Sequence, residues 1–160
     1  MEGWTDFLVA EVGASAALTG LVFVGVSINL KRILSFPKLP DRAFSALLMF
    51  ASVLIVSSLL LVPGLSGRPA GVVLAVLGAG LWARITVQDI RYWRGTKRKY
   101  RRSVVPLSVM NQVAILSYVA AGVLLALESP LGMYFTVPAF LLSLIKALLD
   151  SWVLLVEINR

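Results

Sequence analysis

The sequence predicts an all-α integral membrane bundle of five transmembrane helices, N-terminus outside and C-terminus inside. Three observations carry this expectation. The chain is 59% hydrophobic and only 14% charged over 160 residues, whereas a soluble domain carries roughly 25% charged residues. Its apolar residues gather into runs that supply the ~20 residues a helix needs to cross a ~30 Å hydrocarbon core. Seven of the fifteen basic residues crowd into RYWRGTKRKYRR (91–102), which holds no acid. Between apolar runs, such a cluster marks the cytoplasmic side.

The first run, 7–30, follows the acidic start MEGWTDF. Without a basic n-region it reads as a retained helix rather than a cleaved signal. The second, 43–62, opens after FPKLPD (36–41), and the third, 70–90, after PGLSGRP (63–69); both connections have the Pro/Gly chemistry of turns. The fourth, 104–127, leaves the basic stretch and ends at ESP (128–130). The fifth, 131–158, is long and contains Pro138, so 131–138 is either helical or an extended entry to a helix from about Thr136. A four-span alternative would put the C-terminus outside, and the Gly/Pro-bounded runs argue against it.

Five spans place the 31–42 loop, the 91–103 loop and the C-terminus on one side. The first loop carries Lys31, Arg32, Lys38 and Arg42 against Asp41, and the second carries all seven clustered basics. The opposite side has Glu2, Asp6 and Glu128, with Arg68 its only clear basic residue. The positive-inside rule then makes the basic loops cytoplasmic. One transmembrane domain over 1–160, in the bacterial cell (inner) membrane, is the expected organisation.

Cysteine and histidine are both absent. Their absence removes disulfides, thiolate chemistry and His-ligated metal or haem, along with the usual general base of hydrolytic triads. No phosphate-binding or dinucleotide fingerprint appears. The expectation is therefore a protein with no cofactor that is not an enzyme.

The candidate functional residues are polar atoms inside the spans. Thr136, Ala139, Ser143, Lys146, Asp150, Val153 and Glu157 recur at intervals of three and four, so they share one helix face. Each ionisable group near mid-membrane costs at least ~2.5–3.5 kcal/mol on insertion scales and normally faces protein or water. Two readings fit this stripe: a packed interior holding a Lys146–Asp150 pair, or a helix lining a hydrated pathway, alone or in a ring of subunits. The third span adds Arg84, Gln88 and Arg91 on one face and Asp89 on another, making an Arg84–Asp150 bridge the natural inter-helix expectation. Asn111 and Gln112 belong to the same inner half, as hydrogen-bonding glue between helices or as part of a pathway. Glu11 shares a face with Ser15 and Asn29 near the outer interface, either hydrated or guarding an entrance.

Small residues recur four apart as Ala10/Ala14, Gly13/Ala17 and Ala16/Gly20 in the first span and Gly71/Ala75/Ala79 in the third. This spacing lets helix backbones approach closely, within a chain or between copies. Arg91, Arg94, Lys97, Arg98, Lys99, Arg101 and Arg102 are expected to meet anionic lipid at the cytoplasmic face, at ~1 kcal/mol each. Nucleic acid is not an expected partner for so short a loop tethered between spans.

GASAALTGLVFVGVSINLKRIL (13–34) resembles the opening of small multi-span bacterial membrane proteins. The resemblance implies a membrane helical fold; it brings no activity and no site residue. Two functional expectations follow from the residues themselves. One is a homo-oligomeric ion channel or permeation protein built on the last helix's stripe. The other is a non-catalytic accessory or adaptor subunit that binds a larger membrane complex or anionic lipid.

Overall fold

Helix boundaries fall where the turn residues put them. The computed structural model describes residues 3–37, 39–65, 67–95 and 101–158, with the backbone alone for 101–104 and 157–158. Among the described residues every regular element is an α-helix: α1 (Thr5–Ile28), α2 (Leu30–Leu34), α3 (Leu39–Leu60), α4 (Arg68–Gly95), α5 (Arg101–Ala126) and α6 (Leu131–Ile158). All except α2 are long and apolar enough to cross a membrane.

Two boundaries differ from the sequence reading, each for a local reason. The 31–42 connection is not all loop. Pro40 falls in the first turn of α3, where its missing N–H has no intrahelical partner to lose, so Asp41 and Arg42 are already helical. Within the same connection, α2 is anchored by Ile33, which is 1% exposed and packs with Leu39, Ala43, Leu154 and Val26. The basic 91–103 connection is also largely helical: Arg91 and Arg94 ride on the end of α4, and α5 begins at Arg101. Lys97, Arg98 and Lys99 lie outside the described residues, as do the side chains of Arg101 and Arg102.

Of the two alternatives for 131–138 the structure has the helix, with Pro138 inside α6. The turn before it explains the start. Ser129 N–H donates to Leu124 O and Glu128 N–H to Leu125 O, both at 2.9 Å, the paired bonds of a Schellman C-cap. That motif requires a left-handed residue, and Glu128 supplies it at φ 59°. Pro130 then stands just ahead of the new helix, whose first turn closes through Gly132 N–H on Ser129 O at 3.1 Å.

The chain divides into two compact units, one formed by 1–62 with 143–160 and the other by 63–142. In the first, α1 and α3 pack together and the Ile33 cluster joins the end of α1 to α2, the start of α3 and the end of α6. In the second, α4 and α5 form an antiparallel hairpin with nearly touching backbones. A Cβ added at Gly71 would lie 2.1 Å from the Ala126 nitrogen, and one at Gly122 would lie 2.3 Å from the Ala75 nitrogen. Gly78 continues this seam against Val119, and Gly132 brings the start of α6 onto Leu125. Tyr118 and Phe140, both fully buried, meet with ring centroids 5.9 Å apart.

Candidate functional site

The first unit holds a buried ion cluster. Lys146 and Asp150, one turn apart on α6, are each 4% exposed. The Lys146 ammonium donates to Asp150 Oδ2, and Arg42 Nε stands 3.9 Å from the other carboxylate oxygen. Arg42 keeps 22% of its side chain exposed, so its head reaches solvent or interface while its Nε faces Asp150. Asp150 thus has partners on α6 and α3. Arg84 lies exposed in the second unit and reaches Gln88 Oε1 on its own helix at 3.5 Å.

Other buried or half-buried polar groups of this unit lie on all three long segments. On α1, Glu11, Ser15 and Thr19 follow one another at four-residue intervals. Thr19 Oγ1 donates to Ser15 O at 2.6 Å and Ser15 Oγ to Glu11 O at 2.5 Å. On α3, Ser52 and Ser57 close onto Met49 O at 2.7 Å and Val53 O at 2.6 Å. On α6, Ser143 is fully buried, and Ser151 donates to Ala147 O at 2.7 Å. Donation into the helix's own carbonyls lets a hydroxyl sit in an apolar interior without an orphaned proton.

Glu11 is the exception. It is 8% exposed, and its Oε2 is buried with no hydrogen-bond partner among the described residues. Fifteen residues of α1 separate it from Val26 in the Ile33 cluster, or about 22 Å of helix. The ion cluster lies at that far end, since Leu154 of the same apolar cluster is one turn beyond Asp150.

In the second unit the polar atoms form an amide-centred network across the hairpin. Asp89 Oδ1 accepts from Asn111 Nδ2 and Asp89 Oδ2 from Gln112 Nε2, both at 3.1 Å. Gln112 Nε2 also meets Thr86 Oγ1 at 3.3 Å, and Gln112 Oε1 accepts from Trp82 Nε1 at 3.0 Å. Asn111 is 5% exposed and its Oδ1 has no hydrogen-bond partner among the described residues. The sequence reading named Asn111 and Gln112 as glue and put Asp89 on a face of its helix apart from Arg84, Gln88 and Arg91, without joining the two. The antiparallel register makes Asp89 the acceptor for both.

No protein-family model, curated protein or solved structure matches this chain. The functional reading therefore rests on geometry alone. The sequence-chosen residues separate into two groups: Glu11, Ser143, Lys146 and Asp150 in the first unit, and Arg84, Asn111 and Gln112 in the second. Arg91 and Arg94 are exposed on the last turns of α4. Arg42 is the residue the sequence reading missed, because FPKLPD reads as a turn. Its only sequence signal is that a proline early in a helix permits one to start there. Among the described residues no cluster of three acidic side chains suited to a metal ion occurs.

Proposed function

We propose that this is a small bacterial inner-membrane permeation protein that passes protons through the first unit of each protomer. In this reading the basic ends of α4 and α5 face the cytoplasm. The supporting observation is the pairing of Glu11, whose Oε2 is buried with no hydrogen-bond partner among the described residues, with the Arg42–Asp150–Lys146 cluster of the same unit. Intramembrane ionisable groups of this kind commonly mark proton and ion pathways. Ser15, Thr19, Ser52, Ser57 and Ser143 supply hydroxyls on the intervening segments, and a hydroxyl both donates and accepts. A stripe closed within one chain favours a route inside each protomer over one on a shared oligomer axis, because Ser143, Lys146 and Asp150 are 0%, 4% and 4% exposed.

The test is proton flux in proteoliposomes that enclose a pH-sensitive dye, with the potential set by a potassium ionophore. Wild type should acidify the lumen faster than protein-free vesicles. Glu11→Gln should cut that rate about tenfold, the upper range for loss of one proton-transfer group being far larger. Because Glu11 has no side-chain hydrogen bond among the described residues, the variant should keep the wild-type melting temperature. Wild-type flux at the protein-free rate would sink the reading.

A second reading, a non-catalytic accessory subunit, is favoured by α1. Only 17% of its span is buried, against 28–56% in the other four. Gly13 and Gly20 have open space where a Cβ would project. A flux-negative protein in which Gly13→Cys forms cross-links with a neighbouring chain would move the assignment to this reading.

A further inference from the structure

We infer that the break between α1 and α2 is a binding site for an anionic phospholipid. This rests on the membrane placement proposed above and is independent of permeation. α1 stops at Ile28, where Asn29 leaves the helical region with φ −101° and ψ 13°, and α2 restarts at Leu30. The bend holds a cavity of about 390 Å³ walled by Ser27, Ile28, Asn29, Leu30, Lys31 and Arg32. No acidic side chain is among them.

The walls set hydrogen-bond donors beside apolar surface, as a phospholipid sets its phosphate beside its acyl chains. Lys31 and Arg32 are exposed, and neither side chain has a hydrogen-bond or ion-pair partner among the described residues. Asn29 is half-buried, and one of its amide hydrogens goes to Gly25 O at 3.0 Å. That bond orients the amide and leaves its second N–H as a donor. An ammonium, a guanidinium and an amide N–H around one cavity suit a phosphate, whose oxygens accept charge-assisted bonds. Ile28 is 77% and Leu30 47% exposed at the end of an apolar span, which gives the acyl chains their wall.

Ile33 keeps this arrangement in place. It is buried with Leu39, Ala43 and Leu154, with Val26 packed against them, and its N–H donates to Asn29 O at 2.9 Å. Binding therefore does not have to order α2. Every phospholipid brings a phosphate, so net charge decides among headgroups. A choline or ethanolamine group adds a cation, which meets like charge at Lys31 and Arg32 and finds no carboxylate in the walls. A glycerol group leaves the phosphate's charge uncompensated, and the two cations match it.

The test uses the full chain in vesicles. The sequence has no cysteine, so Leu34→Cys, exposed one turn beyond Leu30 and outside the cavity walls, gives a single point for a fluorophore. In phosphatidylcholine vesicles containing one brominated lipid at a time, brominated phosphatidylglycerol should quench the label with a local affinity about tenfold above brominated phosphatidylcholine or phosphatidylethanolamine, a factor within reach of two surface cations. Lys31→Gln combined with Arg32→Gln should equalise the three lipids and keep the wild-type melting temperature, since neither side chain has a partner among the described residues. Arg91→Gln combined with Arg94→Gln, in the other unit, should leave the preference intact. Inorganic phosphate at constant ionic strength should not relieve the quenching. Equal quenching by the three lipids overturns the assignment. So does a preference that survives loss of Lys31 and Arg32, one that vanishes with Arg91 and Arg94, or relief by inorganic phosphate. No quenching by any brominated lipid overturns the membrane placement and this site with it. Proton flux is not measured here, so loss of the lipid preference alone leaves the permeation reading standing.

Discussion

Two stretches of this chain carry the same small-residue spacing and use it in opposite ways. On α4, Gly71, Ala75 and Gly78 meet Ala126, Gly122 and Val119 of α5 backbone to backbone. On α1, Ala10, Gly13, Ala17 and Gly20 are exposed, and Gly13 and Gly20 have nothing within 4 Å of an added Cβ. The difference lies in the partner. α5 presents its own glycine, Gly122, at the matching height, and a two-sided seam lets the helices close. The two units also differ in how they settle buried polarity. The first pairs full charges, Lys146 and Arg42 with Asp150. The second spreads one carboxylate over two neutral amides. Inside lipid there is little hydrophobic force between helices, so packing and polar contacts must carry more of the association.

The strongest way to break this contrast is to unpair the charge in the first unit. Asp150→Leu leaves the Lys146 ammonium buried without its carboxylate, and breaking such a pair costs about 3–5 kcal/mol. Unfolding in mixed micelles, titrated with a denaturing detergent, should show a loss of that size. Lys146→Met combined with Asp150→Leu should recover most of it, since an apolar pair of similar volume is often neutral. If Asp150→Leu is harmless, the cluster contributes little to holding the first unit together.

A smaller effect tests the two stripes directly. Gly71→Ala places a methyl against the backbone of α5, with no flexible side chain to move aside. Overpacking of this kind costs about 1–3 kcal/mol. Gly13→Ala meets open space and should be neutral or gain up to ~1 kcal/mol from helix propensity. The same micelle titration, run on both, should give opposite signs. Equal effects would mean the seam is no tighter than the open face.

The spans were legible in the sequence because length and Pro/Gly punctuation set them, and all five recur within a few residues of the expected bounds. The partners were not. Small-residue spacing is a property of one helix, whereas a seam belongs to two, so nothing on α1 or α4 alone separates the open stripe from the closed one. The polar stripe of α6 was visible as a helical period, and its burial fits the rule that charge avoids lipid. Arg42 was hidden because the first turn of α3 lies within a Pro-rich segment that reads as loop. The partners of Asp89 were not visible because its face could be compared only with Arg84 and Arg91 on its own helix, while the α4–α5 register decides what it meets.

The smallest predicted effect lies in the connection between α5 and α6. Glu128 holds a left-handed conformation, φ 59°, that the C-cap of α5 demands and that a side chain disfavours. Glycine adopts it freely, at the cost of a more flexible unfolded chain. Glu128→Gly should therefore stabilise the second unit by about 0.5–1 kcal/mol in the micelle titration. Ser129→Gly, one residue later, adds flexibility without relieving a strained φ and should be neutral or slightly destabilising. Because Ser129 N–H and Glu128 N–H donate to Leu124 and Leu125, main-chain atoms alone make the cap, and neither change removes a bond. A loss of stability in Glu128→Gly would mean the carboxylate itself holds the turn, and the side-chain-free account of this connection would have to be abandoned.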